Sequence, residues 1–114
     1  MIAVIFEVHP REGQAERYFE LAAQLRAELE NTEGFISVER FESLTRPGHY
    51  LSLSFWRDEE SVRRWRCQGM HRSAQREGRA SVFQHYRLRV AAVLRDYGLA
   101  ERDQAPADSL AALM

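Results

Sequence analysis

Residues 35–56, FISVERFESLTRPGHYLSLSFW, carry two β-strands and the turn that joins them. Phe35 to Leu44 reads as one strand. Tyr50 to Trp56 alternates Leu51, Leu53 and Phe55 with Ser52, Ser54 and Trp56, the two-residue period of a pleated strand. Arg46-Pro47-Gly48 turns the chain between them, with proline fixing φ and glycine free to take a positive φ. The two strands therefore form a hairpin, and the elements on either side of it set the topology.

Upstream, Ile2, Val4, Phe6 and Val8 share one face of a first strand, with Ala3, Ile5 and Glu7 on the other. His9-Pro10 ends it, because proline cannot donate to a ladder. Gly13 is expected to open a helix running to about Asn31. Its apolar stripe is Ala15, Tyr18, Ala22, Leu25 and Leu29, widened by Phe19 and Leu21. Downstream, Asp58 is placed to cap a helix with Glu59 and Glu60 in its first turn, where the helix dipole favours acids. Val62 and Trp65 face inward, and Gly69 is read as the break before a short helix that carries Met70, His71, Ala74 and Gln75 and stops at Gly78. Ser81 to Leu94 reads as a long last strand. Val82, Gln84, Tyr86, Leu88, Val90 and Ala92 are expected on one face, with Phe83, His85, Arg87, Arg89 and Ala91 on the other.

The order strand, helix, strand, strand, helix, strand is that of an α+β, ferredoxin-like split βαβ domain, with one antiparallel sheet and its helices on one face. The domain is expected over residues 1–98. Residues 99–114 form a tail, with Ala107 to Met114 as a loose end or a short helix packed on a partner. Strand one is apolar on both faces, and Phe35 and Phe41 are expected on the side away from Ile36 and Val38. A sheet with two apolar faces needs a second cover, which a homodimer joined sheet to sheet would supply.

With 114 residues the chain makes one domain, and 45% hydrophobic content is enough to bury a core, so disorder is excluded as a class. No apolar run approaches a membrane span. The start, Met1 to Glu7, lacks the basic region of a signal peptide, and the single Cys67 cannot form an internal disulfide, so a cytoplasmic setting is expected. The net charge of −1 argues against nucleic acid and membrane partners. Its distribution is uneven. Residues 1–60 carry twelve acids against six arginines, and residues 61–114 carry five acids against ten. Between 61 and 95 nine arginines meet one acid, Glu77, and the chain has no lysine. The two halves are expected to pair their charges, or the arginines to form a local anion-binding surface.

Phosphate loops, nucleophile elbows and zinc-spaced Cys/His clusters are absent, and no metal is expected. His9, His49, His71 and His85 fall on four separate elements. His71 is the leading candidate for a functional role, with Gln75 one turn later on the same helix face and Trp65 nearby. A packing or capping role for His71 is the alternative. His85, Trp56 and Cys67 are read as packing, surface or inert residues. RNA binding is disfavoured, since the last strand offers no Gly/aromatic motif for stacked bases.

Residues 33–41, 50–56, Trp65, His71 to Gln75 and Tyr86 to Val90 resemble the antibiotic biosynthesis monooxygenase family, whose fold is the dimeric α+β barrel; the likeness runs over residues 2–98. The resemblance implies a small monooxygenase without a cofactor, acting with O₂ on a hydrophobic aromatic substrate such as a polycyclic phenol or quinol. A pocket between helices and sheet would then hold the substrate against Tyr18, Phe19 and Trp65, with His71 and Gln75 serving deprotonation. A non-catalytic or haem-binding module is the alternative. Haem-degrading members carry an axial His ten residues beyond the Trp and an Asn on the first strand. Here those places hold Gln75 and Val8.

Overall fold

The computed structural model describes residues 1–111. β1 (Ile2–Pro10) leads to α1 (Ala15–Glu30), then β2 (Phe35–Glu42) and β3 (Tyr50–Trp56). α2 (Glu59–Arg66), α3 (Gly69–Glu77) and a π-helical turn (Gly78–Val82) precede β4 (Phe83–Ala92), and α4 (Ala107–Ala111) follows. The strands form one antiparallel sheet in the order β2-β3-β1-β4, the split βαβ arrangement.

Ile2, Val4, Phe6 and Val8 of β1 point toward the helices and divide between two clusters. Val8 joins Tyr18, Leu21 and Val82, with Phe6, Tyr50, Ala74 and Phe83 packed against them. At the other end of the sheet Trp56, Val62 and Trp65 are buried, with Ile2, Val4, Leu25, Leu29 and Phe35 around them. Neither cluster draws on the opposite face. Cross-strand register places Ala3 and Ile5 there, between Phe55 and Leu53 of β3 and Ala91 and Arg89 of β4, with Phe41 opposite Leu51.

Two irregularities overturn the simple alternation expected from sequence. Pairing shifts between Phe35 and Ser37, so Phe35 lies opposite Trp56 on the helix side while Phe41 stays on the open side. The intervening Ile36 is the extra residue of a bulge. A second shift pairs His9 with His85 and Pro10 with Phe83. Phe83 thus turns inward to meet Phe6 edge-on at 5.6 Å and parts from His85 and Arg87. The last strand starts at Phe83, two residues later than Ser81, because Gly78–Val82 continues α3 as a wider turn that buries Val82 fully. The break before α3 lies at Cys67 and Gln68, and Gly69 is the first residue of the new helix.

Tyr86, Leu88 and Val90 share the helix-side face of β4, yet each is at least 40% exposed. The tail folds on itself: the Arg102 guanidinium donates to the carbonyls of Gly98 and Ser109 and lies over Tyr97. Ala107–Ala111 is a short helix, and residues 112–114 of the expected tail segment lie outside the described residues.

The entry to α2 is tightly specified. One carboxylate oxygen of Asp58 accepts from both the Ser61 amide (2.9 Å) and the Ser61 hydroxyl (2.7 Å). The hydrogen bonds from Ser61 hold that carboxyl down near 2. Ser61 is buried against Gly34, whose φ is +89°. A Cβ at Gly34 would sit 1.8 Å from the Ser61 hydroxyl oxygen. Gly34→Ala therefore combines left-handed strain with a clash and should cost about 3 kcal/mol. Gly13→Ala, at φ +78° in open space, carries strain alone and should cost about 1 kcal/mol. Urea denaturation of the two variants checks this; equal losses would show that Ser61 yields freely.

Candidate functional site

α2 starts at the Asp58 cap and carries Trp65 one helix length into the core. The Trp65 ring lies 6.4 Å from Trp56 and 4.8 Å from His71, which meets it edge-on at 72°. His71 stands in the first turn of α3, so the short step at Cys67 and Gln68 brings the two rings together. That step is fixed in turn by the Gln68 amide, which donates to the Thr32 hydroxyl at 3.1 Å.

The His71 ring is half-buried. Its Nδ1 is fully buried and has no hydrogen-bond partner. Burial, and then the charge of Arg72, push the imidazole down to about 4. At neutral pH the ring is therefore uncharged and able to accept a proton. Its proton-binding strength in the free protein is low.

The other expected residues fall into two further settings. Tyr18 is buried in the opposite cluster, within 6.4 Å of Phe6, Tyr50 and Phe83 by ring centroid. Its hydroxyl accepts from Nε of Arg40 at 3.1 Å, and burial raises the phenol against the lowering influence of that cation. Phe19 sits at the rim, 5.0 Å from Tyr50 and edge-on to it. Gln75 lines a shallow recess of about 380 Å³ with Arg72, Arg76 and Arg79. The structure thus brings Trp65 and His71 into contact and sets Tyr18 and Phe19 in a separate aromatic group. α3 spans the two, because Ala74 packs against the Tyr18 cluster.

Sequence reasoning missed the other three histidines as a group. His9 stacks on His49 with ring centroids 4.1 Å apart, and His9 pairs across the ladder with His85. They border an open recess of about 580 Å³ on the face opposite the two clusters, together with Phe41, Arg46 and Arg87. The signal was available in strand register, since placing Val8 opposite Tyr86 puts His9 opposite His85. Among the described residues, no three His, Cys, Asp or Glu side chains are arranged to hold a metal ion. Charge pairing between the two halves of the chain is partial. Arg89 meets Glu7 at 2.8 Å, Arg17 holds Glu77 at 2.7 Å and Arg64 approaches Glu33, whereas Arg63 crosses the division only to its helix neighbour Glu60.

Residues 1–77 match the family described as antibiotic biosynthesis monooxygenase. Over 93 residues the chain is 52% identical to the jasmonate monooxygenase ABM of Pyricularia oryzae (strain 70-15), a match covering 82% of this chain and 43% of that protein. The chain thus spans less than half the length of this relative. It is 29% identical over 91 residues to the uncharacterised protein YqjZ of Bacillus subtilis (strain 168), covering 80% of this chain and 77% of the other. A solved structure from Deinococcus radiodurans has the same fold with a TM-score of 0.76 at 13% identity, over 86% of this chain and 97% of that one. Rv0793 of Mycobacterium tuberculosis gives 0.76 at 16% identity, over 85% and 98%. No helix among the described residues is long and apolar enough to cross a membrane.

The burial of His71 has a consequence for stability. Its proton affinity is lower in the folded protein, at about 4, than in the unfolded chain, near 6.5. The unfolded state therefore takes up the proton first as pH falls, and stability contributed by the neutral ring above 6.5 is lost progressively down to 4. Melting temperatures across pH 7 to 4 should fall more steeply for the native chain than for His71→Gln. Parallel curves would show that the ring is as well solvated folded as unfolded.

Proposed function

Because the chain belongs to the antibiotic biosynthesis monooxygenase family, we propose that it is a monooxygenase that needs no cofactor and acts on a small apolar molecule with an acidified C–H bond. Such a bond lies beside a carbonyl or an aryl ring. The class includes the polycyclic phenols and quinols expected from sequence, and it includes cyclopentanone carboxylates of the jasmonate kind, which the Pyricularia relative is named for. In such substrates the electrons that reduce O₂ come from the substrate itself. A CH₂ group and one O₂ become a carbonyl and one water through a hydroperoxide, so no external reductant is required.

The observation that carries this reading is the buried, partnerless Nδ1 of His71, whose ring packs roughly perpendicular to that of Trp65. A buried polar nitrogen without a partner is costly in a folded protein, and an incoming substrate would relieve that cost. The neutral ring is in the form that accepts a proton. Its low basicity rises once a substrate anion forms beside it, because an imidazolium is then stabilised by the new negative charge. Trp65 supplies an apolar wall. Gln75, one turn along α3, is within reach to orient the ring or the substrate.

The same proposal makes the protein a homodimer. Ile5, Phe41, Leu51, Leu53 and Phe55 line the face of the sheet opposite the two clusters, and a second copy of the chain is the cover that removes them from water. Light scattering at micromolar concentration should give twice the chain mass, and Leu53→Glu should yield monomer. A native monomer would overturn the dimer.

For the reaction, purified protein is supplied with an anthrone, a naphthol and jasmonate in air, without flavin, metal or haem, and O₂ uptake is followed at an electrode. Uptake with at least one of them is expected. His71→Ala should lower turnover roughly 10²–10⁴-fold, as for a lost general base, and Gln75→Ala should lower it less. No uptake by the native chain with any of the three would overturn the catalytic reading. Full activity in His71→Ala would move the base elsewhere.

A further inference from the structure

α3 and the π-helical turn that continues it gather cations on one side. Arg72, Gln75, Arg76 and Arg79 follow the three- and four-residue spacing of a single helix face and line one recess. The neighbouring face turns inward, with Ala74 against the Tyr18 cluster and His71 against Trp65. Gln75 stands on the boundary, beside the arginines and one turn from His71.

Nothing in the described structure neutralises this row. Glu77, the one acid between residues 61 and 95, lies on the far side of the helix, where Arg17 holds it through Nη2 at 2.7 Å. The ion pairs among the described residues use Arg17, Arg26, Arg57, Arg63, Arg64 and Arg89. Among the described residues the guanidinium of Arg72 forms no ion pair, and it donates to the sulfur of Cys67 at 3.7 Å. Like charges one turn apart on a helix repel, and that repulsion is relieved when an anion binds. A guanidinium presents a planar fork that matches a carboxylate, and two or three such forks around a recess make it selective for an anionic oxygen group.

We propose that this recess anchors a carboxylate of the substrate, so that the molecules this protein oxidises are apolar acids. The carboxylate would sit on Arg72, Arg76 and Arg79, and the apolar body would pass Gln75 toward Trp65 and His71. The assignment rests on the monooxygenase reading for its location and deepens it by naming the charge of the substrate.

The test separates the two. Calorimetric titration of the whole chain with jasmonate and with 2-naphthoate, each compared with its own methyl ester, measures the worth of the carboxylate. At low salt at least one acid should bind about tenfold more tightly than its ester, the worth of a charge-assisted contact. In Arg72→Gln/Arg76→Gln, substitutions that a helix tolerates, that preference should largely vanish while the melting temperature is kept. If neither acid outbinds its ester in the native chain, or the preference survives the double substitution, the anchor is overturned even where O₂ uptake is found. If the preference is present and lost as expected but no substrate consumes O₂, the anion site stands and the monooxygenase reading falls.

Discussion

The burial of Trp56 at the end of the central hairpin holds the rest of the molecule in place. The side chain is 1% exposed, its indole N–H donates to the Ser54 hydroxyl at 2.9 Å, and Phe35 meets it edge-on at 5.4 Å. An indole buried with its one polar hydrogen satisfied retains its full apolar contribution without a desolvation cost. On this ring α2 lays Val62 and Trp65, and Trp65 then becomes the surface that His71 packs against. The bulge at Ile36 belongs to the same assembly, since it turns Phe35 toward the ring that needs it. The position of His71 is thus the last link of a chain that starts in a β-hairpin.

Most of this architecture could be read from the residues because the signals were local. The stripe of α1, the Asp58 cap and the alternation of Tyr50 to Trp56 each state their element without help from the rest of the fold. The errors cluster where one extra residue enters a ladder. Ile36 and Gln84 have nothing in their side chains that marks a bulge. Their neighbours Phe35 and Phe83 are large and apolar, and tertiary packing decides which face such rings take. The wide turn at Gly78–Val82 has the same origin. Gly78 is buried with Phe83 directly above it, and a Cβ there would come within 2.4 Å of that ring.

The site was legible in its parts and not in its arrangement. Trp65 and His71 were recognisable as a pair because the break between their helices is short. Tyr18 and Phe19 looked equally suited to that cavity. Yet Tyr18 belongs to the cluster at the Val8 end of the sheet, with Phe19 beside it, and there Arg40 satisfies the phenol. Arg40 stands on β2, and only strand register shows that it faces α1. The convergence of His9, His49 and His85 is likewise a property of the ladder. Sequence separation hides it.

His71 and the arginine row are linked electrostatically as well as by helix geometry. Arg72 is one of the two reasons the imidazole binds a proton weakly in the free protein. An anion seated on Arg72, Arg76 and Arg79 would cancel part of that positive field at the distance of one helix turn. The screening by water there is reduced by the protein on one side. Burial would remain, and the substrate body would deepen it, so the two influences on the ring would move in opposite directions on binding. For a proton acceptor this is a useful opposition. On the proposed reading the ring would stay uncharged while the site is empty, and the cation that suppresses its basicity would be neutralised when a carboxylate arrived with the C–H bond to be broken. A neutral molecule of the same shape would bring the desolvation without the compensation, leaving His71 a weaker base than before it entered.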